Sequence, residues 1–237
     1  MSFITNITMS DNKPFKKHII PTLSQNNIYI MENFLDIKDF ETLQSYITDI
    51  LSGEDDKLAK IKYGHSSIGW HPYYTPHWSY FLTDVEFFNT YLMEKIRNID
   101  TWTHDLKIKR IYVSFQTSGQ TGQWHFDDAQ TGAYTFTLYC NIHTTIARSR
   151  EHKPTIEVYD NITIDDKSKN IFKKSTDYDD DGYFMIKDQN TQPIYLKTHD
   201  NHAALFHSNI LHNGGCPRYD STSVRAVIAF KLFKPPN

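Results

Sequence analysis

The chain has 237 residues, 39% of them hydrophobic and 22% charged, a balance that fits a globular protein able to bury a full core without disulfide or metal staples. With 25 basic against 28 acidic residues the net charge is -3, so there is no general electrostatic grip on nucleic acid. Two cysteines, Cys140 and Cys216, are too few for a secreted disulfide scaffold; no apolar run reaches membrane-spanning length and no long apolar stretch follows the first Met, so the sequence reads as cytoplasmic, with no membrane partner.

In chain order, the first twenty or so residues are polar and predict a loose segment. NIYIMENFL (27–35) predicts a short strand running into a helix start. Asp36 is placed to cap a helix that runs to about Leu51 and is ended by Gly53. Phe40, Leu43, Ile47, Ile50 and Leu51 give that helix one apolar face. Residues 54–64 read as a charged loop, and GWHPYYTPHW (69–78) as an ordered aromatic loop. Thr83 and Glu86 have the spacing of a capping box for a second helix, which carries Phe87, Tyr91, Ile96 and Ile99. From residue 107 the character changes to apolar, β-branched runs of strand length. They lie at 107–115, 133–142, 155–161, 182–188, 193–198, 202–206 and 223–233, each bounded by turn residues. Helices first and strands later predict an α+β, mainly β chain whose strands form two packed sheets or a barrel-like roll. It is read as one domain over 1–237, with a support region at 1–100 and a β core at 107–233.

The chemistry concentrates in two places. In QTGQWHFDDAQTGAYTFTLYCNI (120–142), His125 and Asp127 stand two apart, and in an extended chain such residues point to the same side. An imidazole and a carboxylate there can converge on one cation, and a further histidine would complete the two-histidine, one-carboxylate face of non-haem Fe(II) oxygenases. Asp128, the adjacent residue, points the other way. Taken alone, the pair also matches a polar loop at a strand edge. The second place is HAALFHSNILHNGG (202–215), where His212 precedes two glycines, followed by SVRAVIAFKLF (223–233) with Arg225 inside an apolar run. A buried arginine is costly unless paired. It serves either a structural ion pair or the anchoring of a carboxylate, which a guanidinium grips with two hydrogen bonds.

HFD (125–127), LFHSNILHNGG around His212, and VRAVIAF with Arg225 resemble, in order and spacing, the iron(II)/2-oxoglutarate-dependent oxygenases. The likeness is to their prolyl 4-hydroxylase-like branch, in which a strand and Gly-rich loop lead into His-x-Asp, as IYVSFQTSGQTGQWHFD does here. A strand ending in Tyr, an apolar residue and Asn then follows, as in LYCNI. The resemblance covers 107–233 and, more weakly, NIYIMENFLDIKDFETLQSYI. It implies a double-stranded β-helix, related to the jelly rolls, with N-terminal supporting helices. It also implies Fe(II) held by His125, Asp127 and His212, and 2-oxoglutarate as cosubstrate with its distal carboxylate on Arg225 and Tyr139. Ascorbate is the implied reductant. The implied reaction consumes 2-oxoglutarate and O2, hydroxylates a C–H bond of a peptidyl residue such as proline, and leaves succinate and CO2. A free amino acid, small metabolite or nucleobase is the alternative substrate class, and a non-enzymatic metal-binding β-roll the second alternative. Three departures stand out: Arg225 where prolyl 4-hydroxylases proper often carry lysine, Val227 where many relatives carry serine, and HTTIARSREHKP (143–154) in place of a double glycine near the site entrance.

Other features carry less. DYDDDGYFMIKD (177–188) has much of the spacing of a calcium loop, but Asp stands where the bidentate Glu is usual, and a charged surface loop is the preferred reading. The aromatic loop 69–78 fits a substrate lid and a seal on the core edge equally well. Arg148 and Arg150 read as solvated charge, Trp124 and Cys140 as packing, and Cys216 has no support as a reactive thiol.

Overall fold

Alternation with period two governs the architecture. In a computed structural model, residues 15–20, 27–52, 62–64, 77–116, 124–143, 183–187, 194–196, 199–215 and 223–236 are described. The N-terminal part contains β1 (Lys16–Ile20), β2 (Ile28–Glu32), α1 (Ile37–Ser52), β3 (Lys62–Gly64) and β4 (His77–Phe81). A π-helical turn, Phe87–Leu92, then runs into α2 (Met93–Arg97), and a 3-10 turn spans Thr101–Asp105. The rest is strand: β5 (Lys107–Gln116), β6 (Ala133–His143), β7 (Phe184–Lys187), β8 (Ile194–Leu196), β9 (Ala203–His207), β10 (Leu211–Gly214) and β11 (Ser223–Phe233). Among the described residues no helix is long and apolar enough to cross a membrane.

Two antiparallel sheets result. The larger has the order β1-β2-β9-β6-β11-β5-β4-β3 and the smaller the order β10-β7-β8. His125 and His212 form a further bridge on β10, so the segment around His125 joins the small sheet as a fourth, very short strand. The run β9-β6-β11-β5 and the run His125-β10-β7-β8 are then two facing sets of four, the plan of a jelly roll. The pairs β1–β2 and β3–β4 extend the large sheet at its two edges. This is the double-stranded β-helix expected from the resemblance.

The two faces of β11 separate structure from chemistry. Val224, Ala226, Ile228, Phe230 and Leu232 enter the main core with Leu43, Ile47 and Ile50 of α1 and Met93 and Ile96 of α2. The intervening residues, Arg225, Val227, Ala229 and Lys231, face the inside of the roll, because successive strand residues point to opposite faces. The same alternation puts Ile111, Val113 and Phe115 of β5, and Phe136, Leu138 and Cys140 of β6, in the core. Tyr112, Ser114 and Gln116, and Thr135, Thr137 and Tyr139, are left for the interior of the roll.

The first helix forms as expected. Asp36 Oδ1 accepts from Asp39 N at 2.9 Å, capping α1. Just before it, the chain is clasped to the start of β9 by Asn201, whose Oδ1 accepts from Leu35 N at 2.8 Å and whose Nδ2 donates to Leu35 O at 2.7 Å. Asn201 adopts a left-handed φ of 61°, a conformation that Asn tolerates better than most residues.

Four expectations are corrected. Lys16–Ile20 is a strand paired with β2 rather than a loose segment; its polar residues sit at a sheet edge, where charge is tolerated. Lys62–Gly64, expected as loop, pairs with β4. His77 and Trp78, the end of the expected aromatic loop, belong to β4; residues 69–76 lie outside the described residues. Thr83 does not cap the second helix. Its hydroxyl accepts from Ile111 N at 2.9 Å and lies 3.2 Å from Ile111 O, so it bonds β5 instead, and the helix opens as a π turn at Phe87. The expected strand 155–161, Arg148, Arg150, Cys216, and residues 177–182 and 188 of the calcium-like loop also lie outside the described residues.

Candidate metal centre

Hydrogen bonding between two short segments builds the site. His125 N donates to His212 O and His212 N donates to His125 O, both at 3.0 Å, so the two histidines face each other across a bridged pair. Asp127 N and Asp128 N both donate to Ser208 O, at 2.9 and 3.2 Å. The turn after His125 is thereby fixed to the β9–β10 connection. The outcome is a cluster in which one donor atom each from His125, Asp127 and His212 lies within 4.8 Å of the others. His125 Nε2 is 3.6 Å from Asp127 Oδ1, and His212 Nε2 is 3.3 Å from Asp127 Oδ2. Ligands about 2.1 Å from a common ion and at right angles to one another stand about 3 Å apart, so the spacing suits a metal bound by two imidazoles and one carboxylate.

Each donor has its own support. His212 Nδ1 is 2.8 Å from Ile210 O. A carbonyl only accepts, so Nδ1 carries the proton and Nε2 keeps its lone pair toward Asp127. Phe206 and Phe184 pack on the His212 ring at centroid distances of 4.9 and 5.6 Å. Burial pulls the His212 pKa down, against the opposing pull of Asp127, which favours the neutral, ligating form. The His125 side chain is 47% exposed, against 7% for Asp127 and 6% for His212. The approach from solvent is therefore on the His125 side.

Sequence reading did not anticipate the surroundings of Asp127. Its Oδ2 accepts from Thr135 Oγ1 at 2.7 Å and pairs closely with Lys231 Nζ. Thr135 Oγ1 is also 2.9 Å from Ser208 Oγ. Burial alone would raise the Asp127 pKa, but Lys231, His212 and His125 together hold it well below the usual carboxylate range. Burial likewise opposes the charge on Lys231, while Tyr112 and Asp127 outweigh it and raise its pKa. A signal for this lysine exists in the sequence: Arg225 and Lys231 are six apart in one strand, an even number, which puts both cations on one face. Asp128 turns away, pairing with Lys109 at 2.8 Å.

Arg225 is 2% exposed and lies further along the same inner face. Its Nε donates to Gln116 Oε1 at 3.2 Å, and its Nη2 donates to Gly215 O. Tyr139 is buried on the adjacent strand, one register step away, since Val227 pairs with Tyr139 and Arg225 with Asn141. Burial pushes the Tyr139 phenol far up despite the nearby Arg225 charge, so it stays a neutral hydroxyl. Thr137 Oγ1, on the same face, is buried and lies beside the Tyr139 phenol. The inside of the roll therefore carries two polar groupings: the His125, Asp127, His212 cluster with Lys231, and the Arg225, Tyr139, Thr137 grouping.

Trp124 is half-buried and Cys140 sits in the core with its thiol pKa raised by burial, in keeping with the packing roles read from sequence.

No family model and no curated protein matches the sequence. Solved structures do match the fold. A prolyl hydroxylase from Trichoplax adhaerens, in complex with a hypoxia inducible factor oxygen degradation domain peptide fragment, superimposes with a TM-score of 0.58 at 12% identity, over 90% of this chain and 86% of that one. A Pseudomonas putida prolyl-4-hydroxylase gives a TM-score of 0.55 at 10% identity, over 90% and 95%. The non-heme alpha ketoglutarate dependent epimerase SnoN from nogalamycin biosynthesis gives 0.55 at 8% identity, over 87% and 77%. A further structure of SnoN, with Fe3+, alpha ketoglutarate and nogalamycin RO, matches with a TM-score of 0.53 at 8% identity, over 87% and 78%. The chain thus has the double-stranded β-helix fold of these oxygenases.

Proposed function

We propose that this protein is an Fe(II)- and 2-oxoglutarate-dependent dioxygenase that hydroxylates a C–H bond, acting on a peptidyl residue in the manner of prolyl 4-hydroxylases. One observation carries the reading: His125, Asp127 and His212 converge from two segments of a double-stranded β-helix, with a deeply buried arginine on the same inner face. A fold alone hosts many functions; the donor set and its neighbouring cation are what narrow it.

His125, Asp127 and His212 would hold the iron, which when bound would supply O2 activation and a centre for the 2-oxoglutarate cosubstrate to coordinate. The chain's own residues do the rest. Arg225 receives the distal carboxylate of 2-oxoglutarate with charge-assisted bonds, and Tyr139 adds a neutral hydroxyl donor. The proton on His212 Nδ1 points that ring's free nitrogen at the metal position. Apolar walls from Phe184, Phe206 and Ile210 keep water from the buried side. The exposed edge at His125 is where substrate enters.

The peptidyl reading draws support from the likeness to a prolyl hydroxylase with a bound peptide. The likeness to SnoN with nogalamycin RO favours a small molecule. Product analysis distinguishes them. The purified protein is incubated with Fe(II), 2-oxoglutarate, ascorbate and a panel of proline-containing peptides. Succinate formed in step with a peptide gaining one oxygen atom is the expected result. Succinate without any modified peptide would move the substrate to the small-molecule class. The absence of succinate under all conditions would contradict the oxygenase reading.

A further inference from the structure

Lys231 has no task in the scheme above, yet it is buried and sits on the carboxylate of the metal cluster. Its Nζ pairs with Asp127 Oδ2, is 3.4 Å from Thr135 Oγ1 and is 5.7 Å from the centroid of the Tyr112 ring. Oδ2, which lies on the His212 side, is thus held by an ammonium and by the Thr135 hydroxyl, while Oδ1 is the oxygen on the His125 side.

We infer that Lys231 is a resident counter-cation and positioning residue: it shares Asp127 with the metal, fixing the orientation of the carboxylate through Oδ2, and it loosens divalent-metal binding by its charge. The inference rests on the metal-centre reading proposed above. The physical argument has three parts. A carboxylate buried beside two neutral imidazoles needs a partner in the metal-free chain, since an uncompensated buried charge is strongly unfavourable. Lys231 supplies that partner. The ammonium and the Thr135 hydroxyl both bond Oδ2, which holds the carboxylate in one orientation toward the two histidines. Finally, the ammonium offsets the charge of the carboxylate, so an arriving divalent cation meets a less negative site than Asp127 would make alone.

Thr135 also holds Oδ2 but carries no charge, which separates positioning from charge. The probe is Co(II), titrated by calorimetry into the metal-free full-length protein, so no turnover is needed. Lys231→Gln keeps a hydrogen-bond donor and removes the cation. It is expected to bind Co(II) about tenfold or more tightly than the wild type, and its metal-free form to melt at lower temperature. Lys231→Arg is expected to stay within about threefold of the wild type. Thr135→Val, which keeps the cation, is expected to bind no more tightly than the wild type. Wild-type or weaker Co(II) affinity in Lys231→Gln would overturn the inference, as would tightening in Thr135→Val equal to that in Lys231→Gln. His212→Ala is the control: if it binds Co(II) like the wild type, the metal-centre reading itself falls, and this inference with it.

Discussion

Arg225 and Lys231 lie six residues apart on one strand, share one face, and face different partners. Arg225 is held among oxygens of Gln116 and Gly215, whereas Lys231 is held by a carboxylate. Arg225→Ala removes a charge-assisted, bidentate donor. It is expected to raise the 2-oxoglutarate concentration needed for half-maximal succinate formation by tenfold or more while Co(II) binding stays within about threefold. An unchanged 2-oxoglutarate requirement would move the anchor elsewhere. Arg225, His125, Asp127 and His212 were legible in the sequence because each stands in a short motif with a spacing that means something. Thr135 and Lys231 were not. A threonine in AYTF or a lysine in AFKLF is ordinary in itself, and only the cross-strand register Lys231↔Thr135 and the return of the 125–128 turn over that pair bring them to Asp127.

At the scale of elements, turn geometry is the exacting constraint. Gly132 precedes β6 with φ +80°, and a Cβ there would stand 3.0 Å from Lys234 O. Gly132→Ala therefore combines a left-handed conformation with a backbone clash, and is expected to cost about 1–3 kcal/mol, a fall in melting temperature of roughly 2–10 °C in a chain of this size. A melting temperature equal to the wild type's would show that the turn adopts another conformation. The first turn of α1 carries a pH signature. Asp39 is buried beside Tyr91, which donates to it, and Lys95 at 3.3 Å; burial dominates and raises its pKa. A carboxyl whose folded pKa exceeds its unfolded pKa contributes stability below the unfolded value and loses it as pH rises through the folded one. Asp39→Asn should thus gain stability relative to the wild type as pH rises from about 3 to 6, measured by melting temperature across that range. A melting temperature of Asp39→Asn minus that of the wild type that stays constant or falls as pH rises would contradict it. Helix α1 and the strands β5, β6, β7, β8, β9 and β11 were legible from a helical period or from apolar, β-branched runs of strand length, whereas β10 was not among the expected strands. Strands β1, β3 and β4, at or next to the two edges of the large sheet, were not legible either, because such positions accept lysine and histidine that read locally as loop. The π turn at Phe87–Leu92 was missed for a similar reason: Thr83 has the spacing of a cap, but β5 competes for its hydroxyl and wins.

For the whole molecule, the roll keeps its two faces distinct. One face of the large sheet is sealed by α1 and α2, and the other faces the small sheet and carries the polar residues. The division follows from strand alternation, so the sequence order of the motifs already implied which residues would share the interior, while the way the edge strands lengthen the large sheet depended on long-range pairing. On the proposed function, His125, Asp127 and His212 hold one iron that 2-oxoglutarate chelates beside Arg225. Its most direct test is the anaerobic addition of Fe(II) and then 2-oxoglutarate to the metal-free protein, followed by visible absorption. A weak metal-to-ligand charge-transfer band that requires both additions and is lost in His212→Ala is the predicted result. Iron bound without such a band, or a band that persists in His212→Ala, would contradict the claim.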